Sequence, residues 1–365
     1  MFKNYANMFL KMVVQSIAQL LFFQRVIKIK KKNVTIKTVA KEAGVSPSTV
    51  SRVISNSPRI SLKTKEKVFK IMDELGYHPN AIARSLAINE TKTIGLVIPC
   101  SSEDFYMNSF FQESLRGIAH IANTKGYDLL ISSSNENEID VVKRFINSKK
   151  VDGIILMRSS LKDESIRYLR KREFPFVLIG TCMEYNDIYE VDTDNFLASY
   201  DLTKHLIQRN CKKIAFIGGE HNSIVTIKRL EGYKKAMENF NLRLYDEFII
   251  TDKFSEEKGY NSMQKLLDLN IIPDGIIITD DLMCAGAIKK LQEKNLKVPK
   301  DVLIAAFNDG IFTKYSNPPI TSIKIHSSKL GERACEVLFD IMHNNNVDKR
   351  NIINYELIMR ASTNS

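Results

Sequence analysis

Residues 35–61 read TIKTVAKEAGVSPSTVSRVISNSPRIS. Thr35 is suited to cap a helix that runs to Ala43, and Gly44 stands just past its end. Ile36, Val39, Ala40 and Ala43 recur at spacings of three and four, which draws one apolar face. Val45 falls in the following turn. Ser46 caps a second helix, and Pro47 takes its first position, where a missing N–H is harmless. Val50, Val53 and Ile54 form the inward face of that helix. Two short helices joined by a Gly-containing turn match a helix-turn-helix. A third helix follows, capped by Ser61, striped by Val68, Ile71, Met72 and Leu75, and ended by Gly76.

The second helix also has an outward face made of Ser48, Thr49, Ser51 and Arg52. Short donors and acceptors beside one fork-shaped cation are the groups that read a DNA major groove. The alternative is an ordinary solvated face, because Ser and Thr are common at helix starts. Charge placement bears on the choice. Residues 1–90 hold 16 Lys or Arg against 5 Asp or Glu, whereas residues 91–365 hold 37 of each, so the whole net charge of +11 sits at one end. A polyanion partner is the simplest reading, and a basic tail without a specific partner is the other. Lys63, Lys65, Lys67 and Lys70 of the third helix suit phosphates better than base edges.

Outward from this headpiece, 365 residues at 44% hydrophobic predict two or three domains and exclude a disordered chain. Cys100, Cys182, Cys211, Cys284 and Cys335 are scattered and form no C-x-x-C pair, which argues against a disulfide framework or a zinc site and fits a reduced, cytoplasmic protein. Residues 9–23 are mostly apolar, but Lys11, Gln15 and Gln19 interrupt them and the stretch is short of the ~18–20 residues a membrane span needs. A signal peptide would export the basic end away from DNA. The favoured expectation is that residues 1–33 form an extension that is not native sequence, with translation starting near Val34.

From Thr93 the pattern changes. Apolar runs such as TIGLVIP, DLLIS, GIILM and FPFVLIG alternate with helical periods. After residues 191–194 the alternation repeats through KIAFIGG, FIIT, GIIITD and DVLIAAF. Strand–helix alternation implies α/β architecture with parallel sheets flanked by helices, and two successive sets imply two lobes. Ligands in such folds bind beyond the carboxyl ends of the strands, and two facing lobes close on them by hinge motion.

The gap-free run 35–61, with ELGYHPNAIARSLA at 74–87, closely resembles the headpiece and hinge of the LacI/GalR family of bacterial repressors. The resemblance implies a three-helix headpiece at 34–79, a hinge helix within 80–91, and a periplasmic-binding-protein-like core at 92–365. Its first lobe would take about 92–192 and 326–352, and its second about 193–325 and 353–365. The resemblance points to Thr35, Ser46, Pro47, Ser48, Thr49, Ser51 and Arg52 as DNA contacts, with Asn80, Arg84 and Leu86 in the hinge. Pro47 and Ser48 stand where relatives vary to choose operators, and Leu86 where an apolar side chain wedges into the minor groove. In the core it implies ligand contacts from Asn108, Phe111, Ser133, Asp194 in VDTDN, Arg229 in KRLEGY, Asp280 in ITDD and Asn308 in AFND. Each of the short polar ones is equally suited to a cap or turn. FYMNSFFQESLRGI at 105–118 resembles, more narrowly, maltose-operon regulators, which points to maltose or a related saccharide as effector.

The resulting expectation is a sequence-specific transcriptional regulator, a repressor, controlled by a small sugar and bound to a pseudo-palindromic double-stranded operator. No cofactor, metal or membrane partner is expected. No leucine heptad follows IINYELIMR, so a homodimer without a coiled-coil tetramer is expected. An enzyme is disfavoured, since a dinucleotide fingerprint, a P-loop, a G-x-S-x-G elbow and an H-E-x-x-H motif are all missing. A sugar-binding protein serving a transporter would explain the core but leave residues 34–87 without a role.

Overall fold

The computed structural model describes residues 34–77, 90–98, 102–133, 137–158, 160–269 and 271–364. They divide into two compact units, one ending at Glu90 and the other beginning at Thr91.

The first unit contains α1 (Ile36–Ala43), α2 (Pro47–Ile54) and α3 (Leu62–Glu74). Thr35 caps α1 reciprocally with Thr38: each side chain accepts from the other's backbone N–H. Gly44 closes that helix at φ 65°, a left-handed geometry that costs a residue with a Cβ more than it costs Gly. Ser46 caps α2 and Ser61 caps α3, each accepting from the backbone N–H three residues on. Val39, Ala40, Ala43, Val50, Val53, Val68 and Met72 form the buried centre, with Ile36, Ile54, Ile71 and Leu75 packed around it. Each fully buried Val adds roughly 1.5–3 kcal/mol of hydrophobic stabilisation.

The second unit contains two six-stranded sheets. In chain order the first lobe is built from β1 (Thr93–Ile98), α4 (Ser102–Met107), α5 (Ser109–Thr124), β2 (Asp128–Ser133), α6 (Glu138–Asn147), β3 (Gly153–Leu156), α7 (Glu164–Lys171), β4 (Phe176–Ile179) and β5 (Glu190–Asp192). The second lobe follows with α8 (Asn195–Gln208), β6 (Ile214–Gly218), α9 (Ile224–Asn239), β7 (Ile249–Thr251), α10 (Glu256–Leu267), β8 (Gly275–Ile278), α11 (Asp281–Glu293), β9 (Leu303–Phe307), α12 (Ile311–Tyr315) and β10 (Thr321–Lys324). The chain then returns to the first lobe as α13 (Ser327–Met342) and β11 (Arg350–Ile352), and ends in the second with β12 (Glu356–Ile358).

Strand order is β11-β5-β4-β3-β1-β2 in one sheet and β12-β10-β9-β8-β6-β7 in the other. All pairs are parallel except β10–β12. The central strands are buried on both faces, which is why they read as continuous apolar runs. Gly117 and Gly331 let α5 and α13 meet backbone to backbone: a Cβ at Gly117 would lie 2.0 Å from the Ser328 carbonyl oxygen, and one at Gly331 would lie 2.1 Å from that of Ser114.

IINYELIMR contains the expected lobe boundary at 352/353, and its residues divide between the two sheets. Ile352 ends β11 and Glu356 begins β12. Between them the Ile353 N–H donates to the Asp192 carbonyl at 2.8 Å, and the Tyr355 hydroxyl donates to Asp201 at 2.6 Å. Those two anchors hold the crossing between lobes.

Candidate nucleic-acid interface and ligand cleft

On the headpiece, Thr35, Ser46, Pro47, Ser48 and Arg52 are exposed, whereas Thr49 and Ser51 are half-buried. The Ser46 hydroxyl lies 2.7 Å from that of Ser48 and 2.9 Å from that of Thr49. The start of α2 therefore presents a cluster of hydroxyls, with Arg52 one turn further along the same helix. Asn80, Arg84 and Leu86 lie outside the described residues.

The core holds a cavity of about 450 Å³ at the carboxyl ends of the strands of both lobes. Of the residues expected to meet a ligand, Asn108, Phe111, Arg229, Asp280 and Asn308 line it. Asp194 does not. Its carboxylate accepts from the Leu197 N–H at 2.9 Å and caps α8. Ser133 ends β2, and its side chain lies outside those described.

Arg229 organises the floor of the cavity. It is 5% exposed, donates Nε–H to Asn195 Oδ1 at 2.9 Å and Nη1–H to the Thr279 carbonyl at 2.6 Å, and stacks 4.0 Å from the centre of the Phe307 ring. Burial lowers its pKa to about 10, while the carboxylates of Asp192, Asp280 and Asp281 pull the other way. Sequence reasoning missed Asp192 and Asn195, which join this network. Asp192 accepts from Thr181 Oγ1 (2.9 Å), the Thr193 N–H (2.7 Å) and Asn195 Nδ2 (3.0 Å). Burial still raises its pKa to about 6 against those bonds and the Arg229 charge. The distinguishing signal was available: Asp192 ends a strand, whereas Asp194 directly precedes a helix, the usual place of a capping Asp.

Asp280 caps α11, accepting from the Leu282 N–H at 2.9 Å, and its other oxygen receives Asn108 Nδ2 at 2.9 Å and Asn308 Nδ2 at 3.4 Å. Its pKa is raised by burial. Asn308 sits at φ 77° and Asp309 at φ 54°, a left-handed pair that Asn and Asp tolerate better than most residues. Asp309 is held by Arg360 at 2.6 Å. Asn108 also caps α5, accepting from the Phe110 N–H at 2.9 Å. Beside it Ser109 donates to Asp281 at 2.7 Å. Burial, followed by the charge of Asp280, raises the Asp281 pKa to about 7. The two lobes thus touch through Asn108–Asp280 and Ser109–Asp281. They touch again where the Leu161 N–H donates to the Asn222 carbonyl at 3.0 Å.

The rest of the lining includes the ionic groups Glu138, Arg158, Glu220 and Lys253 and the Phe254 ring. Arg158 lies 5.9 Å from the centre of that ring. With Arg229, Asp192 and Asp280, the lining carries three cations against four carboxyls. Such a lining is chemically suited to a polar molecule without a strong net charge. Among the described residues there is no His/Cys/Asp/Glu group arranged to hold a metal ion, and no helix long and apolar enough to cross a membrane.

The chain was compared with known proteins. Residues 35–80 match the family described as bacterial regulatory proteins, lacI family, and residues 203–363 match a periplasmic binding protein-like domain. The HTH-type transcriptional regulator MalR of Streptococcus pneumoniae is 38% identical over 320 residues, covering 87% of this chain and 95% of the relative. A solved structure described as the probable maltose operon transcriptional repressor MalR of Staphylococcus aureus is 33% identical at a TM-score of 0.69, covering 76% of this chain and 99% of that one. The transcriptional regulator CelR in complex with cellobiose is 25% identical at a TM-score of 0.71, covering 90% of this chain and 100% of that one. With its helix-turn-helix headpiece and two-sheet core, the chain belongs to the LacI family of bacterial transcriptional regulators.

Proposed function

We propose that this chain is a repressor that binds a pseudo-palindromic operator as a homodimer, and that a neutral sugar, maltose or a related saccharide, bound between its lobes sets its affinity for DNA. The observation that carries this reading is the buried chain of hydrogen-bonding groups Asn108–Asp280 and Arg229–Asn195–Asp192, which spans both lobes at the strand ends. The lining's mixed charge suits a polyol better than an anion or a cation. The relative described as a probable maltose operon transcriptional repressor, and the one solved with cellobiose, favour the same ligand class.

In this reading Asn108, Phe111, Asp192, Asn195, Arg229, Asp280 and Asn308 meet the sugar. Ser46, Pro47, Ser48, Thr49, Ser51 and Arg52 meet the major groove, and Leu86 wedges the minor groove. Ligand favours one lobe arrangement and DNA another, so each changes the other's affinity by the same factor.

The test is a titration of the purified protein against its own upstream DNA, with and without maltose, at one salt concentration. Specific binding that shifts with maltose is the expected result. Specific binding indifferent to maltose would remove the sugar assignment, and absence of specific binding would remove the operator assignment.

A further inference from the structure

Among the described residues, three that line the cavity each carry a buried oxygen without a hydrogen-bond partner: Glu138 Oε1, Thr193 Oγ1 and Thr279 Oγ1. They come from the start of α6 in the first lobe, the crossing after β5, and the end of β8 in the second lobe. Buried oxygens are normally paired, because an unpaired one forfeits its hydration without return. Where such an atom faces a cavity, a group of the ligand or an ordered water can supply the missing partner.

Glu138 is the most informative of the three because it is ionisable. Ser165 supplies a hydrogen bond to the carboxyl, Asp163 faces it from the cap of α7, and Arg158 faces it from beyond β3. Burial and the Asp163 charge outweigh Ser165 and Arg158 and raise its pKa to about 7. Asn137 holds the N-cap position of α6 without a side-chain cap hydrogen bond, and Glu138 stands in the first turn, where a negative charge also suits the helix dipole. Among the described residues Oε1 has no hydrogen-bond partner.

We propose that Glu138 is a specificity contact of the first lobe, whose Oε1 accepts a hydrogen bond from one hydroxyl of the bound sugar. Thr193 and Thr279 supply further hydroxyl contacts from the crossing and from the second lobe. This rests on the sugar reading above and deepens it: the ligand is a saccharide that presents a hydroxyl to each lobe. A carboxyl acceptor makes that recognition selective, because an analogue lacking the hydroxyl leaves a buried oxygen unpaired.

The experiment is calorimetric titration of the full-length protein with maltose and with its single-deoxy analogues, using wild type, Glu138→Gln and Glu138→Ala at pH 8. Melting temperature and operator binding of each variant check that it folds. Wild type is expected to bind one deoxy analogue at least about tenfold more weakly than maltose. Glu138→Ala is expected to bind maltose and that analogue equally, and Glu138→Gln, which keeps a neutral acceptor oxygen, to recover part of the discrimination. A merely structural glutamate would weaken all ligands alike. If folded Glu138→Ala keeps the wild-type preference, or if wild type prefers maltose over none of the analogues, the assignment of Glu138 is overturned while the sugar reading stands. If wild type binds no maltose, both fall together.

Discussion

The headpiece and the cleft are built on opposite plans. In the headpiece every cap and every buried contact joins residues between 34 and 77, and the exposed face of α2 follows directly from which side of that helix is apolar. In the cleft the decisive bonds join residues far apart in sequence: Asn108 to Asp280, Ser109 to Asp281, Arg229 to Asn195 and to Thr279. The first region is a local device whose parts carry their own instructions. The second exists only once two sheets face each other, and its charges are tuned by burial that no short segment supplies.

This contrast is open to attack in three places. The largest effect is expected from Arg229→Ala. Removing a buried cation that holds Asn195 and balances Asp192 and Asp280 should weaken maltose binding at least about a hundredfold, some 3 kcal/mol, and leave operator binding in the absence of sugar nearly unchanged. Parallel titrations with sugar and with DNA check this. Lost DNA binding beside an intact sugar response would contradict the separation of the two regions.

The next effect concerns pH and belongs to the core alone. Asp281 has its pKa raised to about 7 in the folded protein from an ordinary value of 3.8, so the folded state binds its proton more tightly than the unfolded chain does. The associated stability is fully present below about pH 4 and is lost as pH rises through about 7. Core stability should therefore fall by roughly 2 kcal/mol between pH 5 and pH 8 on account of this group. Asp281→Asn, which still accepts the Ser109 hydroxyl, should make that slope shallower and leave the part due to Glu138 and Asp192. Denaturant unfolding at the two pH values is the measurement, and identical slopes in both proteins would show that the side chain does not titrate there.

The smallest effect tests the headpiece. Ser61→Ala removes the cap of α3, where Ser61 Oγ accepts from the Thr64 N–H at 3.3 Å, and should cost about 1 kcal/mol of headpiece stability. Amide hydrogen exchange should report faster opening within residues 61–75, with sugar affinity unmoved. A loss spread equally over the core would break the independence of the two regions.

Much was legible before the fold was known, and the failures have a common cause. Caps at Thr35, Ser46 and Ser61 were readable because a cap acts within three residues of itself. Buried parallel strands were readable because burial on both faces leaves continuous apolar runs. Arg229, Asp280, Asn108, Phe111 and Asn308 were nominated by their setting in family-like motifs, and the cavity lining includes all five. Asp194 and Asp192 show the limit. Both are aspartates beside the same crossing; position before α8 marks Asp194 as a cap, but that Asp192 meets the Arg229 network depends on how distant elements pack.

The sequence by itself determined the helix-turn-helix, the alternation that makes two α/β lobes, and the basic end that suits a polyanion, because periodicity, capping and net charge are local or additive. Only the tertiary structure decided which polar groups meet. It placed Asp192 beside Arg229, set Asn108 against Asp280, and left Glu138 with an oxygen at the cavity wall that has no partner among the described residues. Desolvation and non-local hydrogen bonds depend on distances between segments, and those distances appear only when the chain has folded.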